Sequence, residues 1–290
     1  MHAPPRPARG VLFAMVSLVL FVSLDVTSKY LSQRYPVPLL IWARYTVHCL
    51  LMVLVLGPSQ RGRLLATGRP ALHVLRAGLL LATSLCGLSA FQRLPLAEAT
   101  AIAFCSPLIV TLLARPLLGE RVGPARWVAV LVGFAGVMLV ARPGSGLVPD
   151  GVLFAFATAV VYALYQLLTR KMAATERPLT LLFYSALVGS AVMSATLPWL
   201  DCGPTPSLPE LPFFLAMGTL AGLGHFCLTR AFREAPASLL SPLLYGQLFW
   251  ATLFGWAVFG QFPDRLALTG MLAIGASGVL IAVDSRRGMR

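Results

Sequence analysis

Charge is scarce in this 290-residue chain: Asp, Glu, Lys and Arg make up 11% of it, against about 25% in a soluble domain. So few ionic groups cannot clothe a water-facing surface, which excludes an ordinary soluble globule. Acidic charge is scarcer still, with 10 Asp and Glu against 23 Lys and Arg. The five cysteines, Cys49, Cys86, Cys105, Cys202 and Cys227, form no CxxC pair and no metal-ligand spacing, so no metal site is expected. All but Cys202 fall in apolar stretches, which argues against a structural disulfide. Catalytic motifs are missing as well: there is no G-x-S-x-G, no Walker A and no H-E-x-x-H. An enzyme is therefore not expected, nor a cofactor, nor a built-in ATPase. Alternation of polar and apolar residues is also absent, which excludes a β-barrel.

What is present is apolar. Hydrophobic residues make up 58% of the chain and mean hydropathy is +0.80, so the partner of its surface is the lipid bilayer. Apolar runs of bilayer-spanning length cover 10–31, 37–56, 72–91, 96–114, 125–141, 151–170, 178–198, 211–230, 236–257 and 265–283. Backbone groups in lipid must be satisfied within their own segment, so each run predicts a helix. The first run follows Arg6 and Arg9 in the manner of a signal peptide. It lacks a small-residue cleavage site before Asp25 and Lys29, so a retained first helix is expected. The excess of positive charge reads as a topology signal rather than as a nucleic-acid footprint, and no nucleic acid is expected as partner.

The pentapeptide GVLFA occurs at Gly10–Ala14 and again at Gly151–Ala155. At that same offset Val19 meets Val160, Ala90 meets Ala231, Phe91 meets Phe232, Pro95 meets Pro236, Thr111 meets Thr252 and Gly119 meets Gly260. One unit is therefore written twice, over 10–142 and 151–284. With the N-terminus inside, seventeen of the 23 basic residues fall on the cytoplasmic side. They include Arg61, Arg63, Arg69, Arg76, Arg115, Arg121, Arg126, Arg170, Lys171 and Arg177. Lys29, Arg34, Arg93, Arg142 and Arg265 fall outside, and Arg44 lies within a span. This bias puts both termini in the cytoplasm. Five helices per unit is an odd number, so the second copy enters the membrane from the opposite face. The fold expected is all-α integral membrane, with ten transmembrane helices as two inverted five-helix repeats. Inverted repeats build a midplane site that opens alternately to either side.

Polar residues inside the spans need a reason, because a charge at mid-helix costs about 2.5–3.5 kcal/mol on insertion scales. Asp25 and Lys29 are spaced i,i+4 and can pair, either lining a cavity mouth or snorkelling at the outer end. Arg44 and His48 share the same spacing in the second run. Arg44 either binds an anionic group, caps a neighbouring helix or pairs with Asp25; His48 is its hydrogen-bond or proton partner. Tyr162 and Gln166 share a face of the sixth run, and Gln166 is the repeat mate of Asp25. His225, mate of Ser84, either faces the same cavity or packs. Pro107 is expected to kink the fourth run. Ser106 and Gln247 are mates at one depth, with Tyr245 and Trp250 as aromatic walls or packing groups. The candidate substrate-binding set is thus Asp25, Lys29, Arg44, His48, Ser84, Ser106, Tyr162, Gln166, His225, Tyr245 and Gln247.

Four stretches carry a family resemblance: YPVPLLIWARYTVH at 35–48, LPLAEATAIAFCSPLIVTLL at 94–113, GER at Gly119–Arg121 before WVAVLVGFAGVMLV, and GQF before the glycine-marked last run. Together they resemble the drug/metabolite transporter superfamily, EamA type, over nearly the whole chain. In the second unit Gly260-Gln261 stands where the first has Gly119-Glu120, so no common role for a loop acid is implied. The resemblance implies a cavity lined mainly by the first, third, fourth, sixth, eighth and ninth runs, in a bacterial inner membrane. It implies alternating access for a small-molecule substrate; with no ATPase motif in the chain, the energy is expected to come from a gradient of protons or of the substrate itself. Export of an amino-acid-derived metabolite, an amino acid or a metallophore, is the first expectation. Arg44 would take its negative group and Asp25 a positive one. Uptake of a cofactor-like metabolite such as riboflavin or S-adenosylmethionine is the second, and a membrane enzyme or scaffold the third.

Overall fold

Proline and glycine set the boundaries of the helices. Pro70, Pro124 and Pro178 stand in the first turn of their helices, where a missing N–H costs nothing. A computed structural model describes residues 7–118, 123–142, 146–173, 175–200, 202–235 and 237–287. Among the described residues there is no strand. In chain order the helices are α1 (Pro7–Leu31), α2 (Val37–Gln60), α3 (Pro70–Arg93), α4 (Leu96–Ala103), α5 (Ser106–Leu118) and α6 (Pro124–Val140). They continue with α7 (Pro149–Ala173), α8 (Pro178–Thr196), α9 (Leu211–Glu234), α10 (Ala237–Leu244), α11 (Gly246–Phe259) and α12 (Arg265–Arg287). The GER tripeptide at 119–121 lies outside the described residues.

The outward faces are apolar. Leu54, Val55, Leu131, Leu153 and Leu272 are each two-thirds or more exposed, an arrangement stable in hydrocarbon and not in water. Seven segments are long and apolar enough to cross a bilayer, whereas Trp127–Val140, Gly246–Phe259 and Arg265–Ile281 are shorter apolar helices. Every expected run coincides with helix, but length and hydropathy alone carry seven crossings and not ten.

The fourth and ninth runs are broken rather than bent. α4 stops at Ala103, a turn follows at Phe104 and Cys105, and α5 starts at Ser106. Pro107 is the cause: it has no N–H to return to the Ala103 carbonyl. The ninth run breaks at Tyr245, between α10 and α11. The two breaks touch, with the Phe104 and Tyr245 rings 5.2 Å apart. Gly278 of α12 receives the Tyr245 ring, and a β-carbon there would overlap it.

Helix pairing is reciprocal. α1 packs on α9 and α7 on α3; α2 packs on α9 and α8 on α3; α11 packs on α1 and α5 on α7; α6 packs on α12. The last pair approaches closely because a β-carbon on Gly136 would stand only 2.6 Å from the Gly270 carbonyl oxygen.

Candidate functional site

α2 carries Arg44, Tyr45 and His48 into the protein interior because its neighbours withdraw their side chains. A β-carbon at Gly189 would overlap the Tyr45 ring, one at Gly218 would overlap Val47, and one at Gly222 would lie 3.2 Å from His48 Cδ2. These absences let α2 sit close against α8 and α9. The result is a small cavity of about 10 Å³, room for roughly one water. Arg44, Tyr45 and His48 line it from α2, Ser185 from α8 and His225 from α9, with Leu80, Leu182, Ala186 and Ala221 completing the wall. The second and seventh runs contribute most of this cavity, and the third and eighth the rest.

Arg44 is half-buried. Among the described residues it makes no hydrogen bond and no ion pair, so it neither caps a helix nor pairs directly with Asp25. Its Cζ lies 5.8 Å from the Tyr45 ring centroid, and its charge acts on Asp25, His48 and His225. His48 and His225 lie parallel with centroids 6.3 Å apart, and Phe21 meets the His225 ring edge-on at 5.0 Å. The Ser84 hydroxyl donates to the Leu80 carbonyl at 3.0 Å, which leaves it to accept from the Tyr45 hydroxyl at 2.9 Å. Ser84 therefore positions Tyr45 from behind.

Lys29 does not pair with Asp25. Its ammonium donates to the Phe91 carbonyl at 2.7 Å and to the Leu94 carbonyl, and stands 5.4 Å from the Phe259 centroid. The C-terminal carbonyls of α3 have no intrahelical donors, and a cation is favourable at that end. Asp25 instead accepts from Gln247 Nε2 at 3.4 Å. Gln166 Nε2 donates to Ser106 Oγ at 3.5 Å. These two contacts are repeat mates of one another: Asp25 corresponds to Gln166, and Gln247 to Ser106. Tyr162 is 38% exposed and stacks on Tyr165 at 5.7 Å. Trp250 packs between Phe249 and Phe254 at 5.3 and 5.9 Å, the packing alternative.

Arg76 was not among the site residues expected from the sequence, which counted it only as a cytoplasmic-side charge; it is 2% exposed within α3. Its Nε donates to Thr169 Oγ1 at 2.7 Å, and Nη1 donates to the Leu181 carbonyl and to Ser185 Oγ, both at 2.9 Å. Nη2 donates to the Tyr165 hydroxyl at 2.6 Å, whose ring also lies under the guanidinium at 4.6 Å. The signals were available: Arg76 lies four residues inside the run begun at 72, and Ser185 is the repeat mate of Arg44. Among the described residues no group of three or more His, Cys, Asp or Glu is placed to hold a metal.

Comparison with known proteins bears on this geometry. The EamA-like transporter family model matches residues 8–142 and again 150–283. An S-adenosylmethionine uptake transporter of Rickettsia bellii is 29% identical over 97% of this chain and 95% of its own. A riboflavin transporter of Rhizobium johnstonii is 30% identical over 96% and 91%. A pseudopaline exporter of Pseudomonas aeruginosa is 27% identical over 94% and 93%. One solved structure superimposes with a TM-score of 0.69 at 22% identity, covering 97% of this chain and 98% of its own, a likeness of fold alone. A membrane-embedded helical protein with a polar interior site, matched twice along its length, is thereby placed: the chain belongs to the EamA-like transporter family.

Proposed function

We propose that this chain is a secondary transporter of a small polar metabolite, working by alternating access in a bacterial inner membrane. Its helices make ten crossings as two inverted repeats, with both termini cytoplasmic. The observation that carries this is the reciprocal pairing of mates, Asp25 with Gln247 and Gln166 with Ser106. An inverted repeat brings equivalent residues to one depth from opposite directions. The helix pairings, the touching breaks at Phe104 and Tyr245, and the twofold match of the family model support the same arrangement.

The cavity at about 10 Å³ is too small for a metabolite, so loading requires one end to open. Contacts tie both ends shut. At one end Glu210 accepts from Tyr35 at 2.5 Å and from Arg34 at 3.2 Å. At the other, Glu176 accepts from Thr67 at 3.1 Å and lies 3.1 Å from His73 Nε2. The broken helices supply hinges, since halves joined by a turn tilt separately.

Export of an amino-acid-derived metabolite is the first reading of direction, supported by the likeness to the pseudopaline exporter. Uptake of a cofactor-like metabolite is the second, supported by the S-adenosylmethionine and riboflavin carriers. The test is flux of S-adenosylmethionine, riboflavin and amino acids in proteoliposomes, beside metabolite distribution in a deletion strain. Export predicts a metabolite retained in the mutant cytoplasm and depleted outside. The opposite distribution establishes uptake, and normal flux through Arg44→Ala removes the cavity from the pathway.

A further inference from the structure

Arg76 is a permanently charged group in the interior of a membrane protein, and every acceptor around it is neutral. Tyr165, Thr169, Ser185 and the Leu181 carbonyl hold it, and no carboxylate lies within ion-pair distance among the described residues. A buried charge without a counter-charge is costly to keep, and methionine would fill the same space without that cost. Four hydrogen bonds fix the guanidinium in place, two of them from Nη1. One of its acceptors, the Ser185 hydroxyl, is itself part of the cavity wall.

Arg44 reaches the same cavity from α2 with its guanidinium unpaired. It differs from Arg76 in being half-buried and in making no hydrogen bond among the described residues. The cavity therefore has one hydrogen-bonded positive charge behind Ser185 and one unpaired positive charge in its lining. His48 and His225 stand beside them. The Asp25 carboxylate is engaged by Gln247 and makes no ion pair with Arg44 among the described residues. A guanidinium fork matches a planar or tetrahedral oxyanion.

We propose that Arg44 and Arg76, coupled through Ser185, form a two-guanidinium site for a compact oxyanion of the substrate, a carboxylate or a phosphate. Arg44 closes on the oxyanion directly. Arg76 is a positioning residue: it holds the Ser185 hydroxyl and Tyr165 in place and supplies the fixed field. A substrate lacking such a group leaves the Arg44 charge in the cavity wall and the Arg76 charge behind Ser185 without a counter-charge. Specificity for anionic or zwitterionic solutes over neutral ones follows. This rests on the transporter reading for its meaning, but not for its test.

The test is thermal unfolding of the purified full chain in detergent, followed by intrinsic tryptophan fluorescence. Acetate, inorganic phosphate and acetamide are the probes, with ionic strength held constant. Acetate or phosphate is expected to raise the midpoint saturably, whereas acetamide, the uncharged isostere of acetate, does not. The stronger of the two anions identifies the group. Arg44→Gln and Arg76→Gln are each expected to weaken the apparent affinity at least about tenfold, and Ser185→Ala to weaken it less. Arg76→Lys keeps the charge in a chain that still folds, and is expected to retain part of the response. Equal shifts with acetate and acetamide, or an unchanged anion affinity in Arg76→Gln despite a lower midpoint, overturn the proposal. Anion binding without any flux in proteoliposomes keeps the site and sinks the transporter reading; flux of solutes without anion binding does the reverse.

Discussion

Lys29 and Arg76 show what a single residue's neighbours decide. Spacing correctly put Asp25 and Lys29 on one face of α1, yet spacing cannot say which partner a flexible ammonium chooses. The open carbonyls at the end of α3 compete with Asp25 and win, because they are buried and have no other donor. Lys29→Met is therefore expected to lower stability by about 2–3 kcal/mol, the scale of a lost charge-assisted hydrogen bond to a buried group. Denaturant titration in detergent reads this. Flux per folded molecule should stay at the native level; a native midpoint with lost flux would put Lys29 in the substrate path instead. Arg44 and His48 stood out in the sequence because few reasons exist for a charge so deep in an apolar run; the structure places both in one cavity wall, with no hydrogen bond between them. Arg76 escaped because it sits near a run boundary, where a basic residue is ordinarily a topology signal.

At the scale of the helix, Pro107 was visible as a disruption, but its full consequence was not. The break at Phe104–Cys105 is complete, and its counterpart at Tyr245 has no proline at the turn itself. The ring contact between Phe104 and Tyr245 at 5.2 Å joins two segments far apart in the chain, which no local pattern reveals. Pro107→Ala returns an N–H to the Ala103 carbonyl and favours a continuous α4–α5. Straightening it by about 1.4 kcal/mol shifts a two-state equilibrium tenfold. The expected outcome is a higher thermal midpoint with flux lowered by about an order of magnitude. Unchanged flux in the stabilised variant would remove this break from the transport cycle.

Across the whole molecule the two ends answer each other. Glu176 and Tyr35 stand 141 residues apart, the offset of the GVLFA repeat, and each anchors a loop contact: Glu176 with Thr67 and His73, Tyr35 with Glu210. The His73 ring beside Glu176, together with the Thr67 hydroxyl, holds that carboxyl below the ordinary carboxylate value of 4.5. A depressed value means the contact stabilises the fold above about pH 4.5 and ceases to do so as pH falls through the depressed value. Glu176→Gln should therefore lower the thermal midpoint at neutral pH, and its difference from the native chain should vanish on acidification. A difference that persists at low pH would mean that the carboxylate charge is not what holds this end.

By itself the sequence determined the membrane class and the helices, because hydropathy and helix length are properties of a chain read locally. It also marked Asp25, Arg44, Gln166 and Gln247, since polar groups stand out in an apolar run. Only the tertiary structure decided who faces whom: Gln247 on Asp25, Lys29 on α3, and Arg76 behind Ser185. Those choices depend on how closely helices approach. That approach is set by absent side chains at Gly189, Gly218 and Gly222 on two helices remote from the groups they admit.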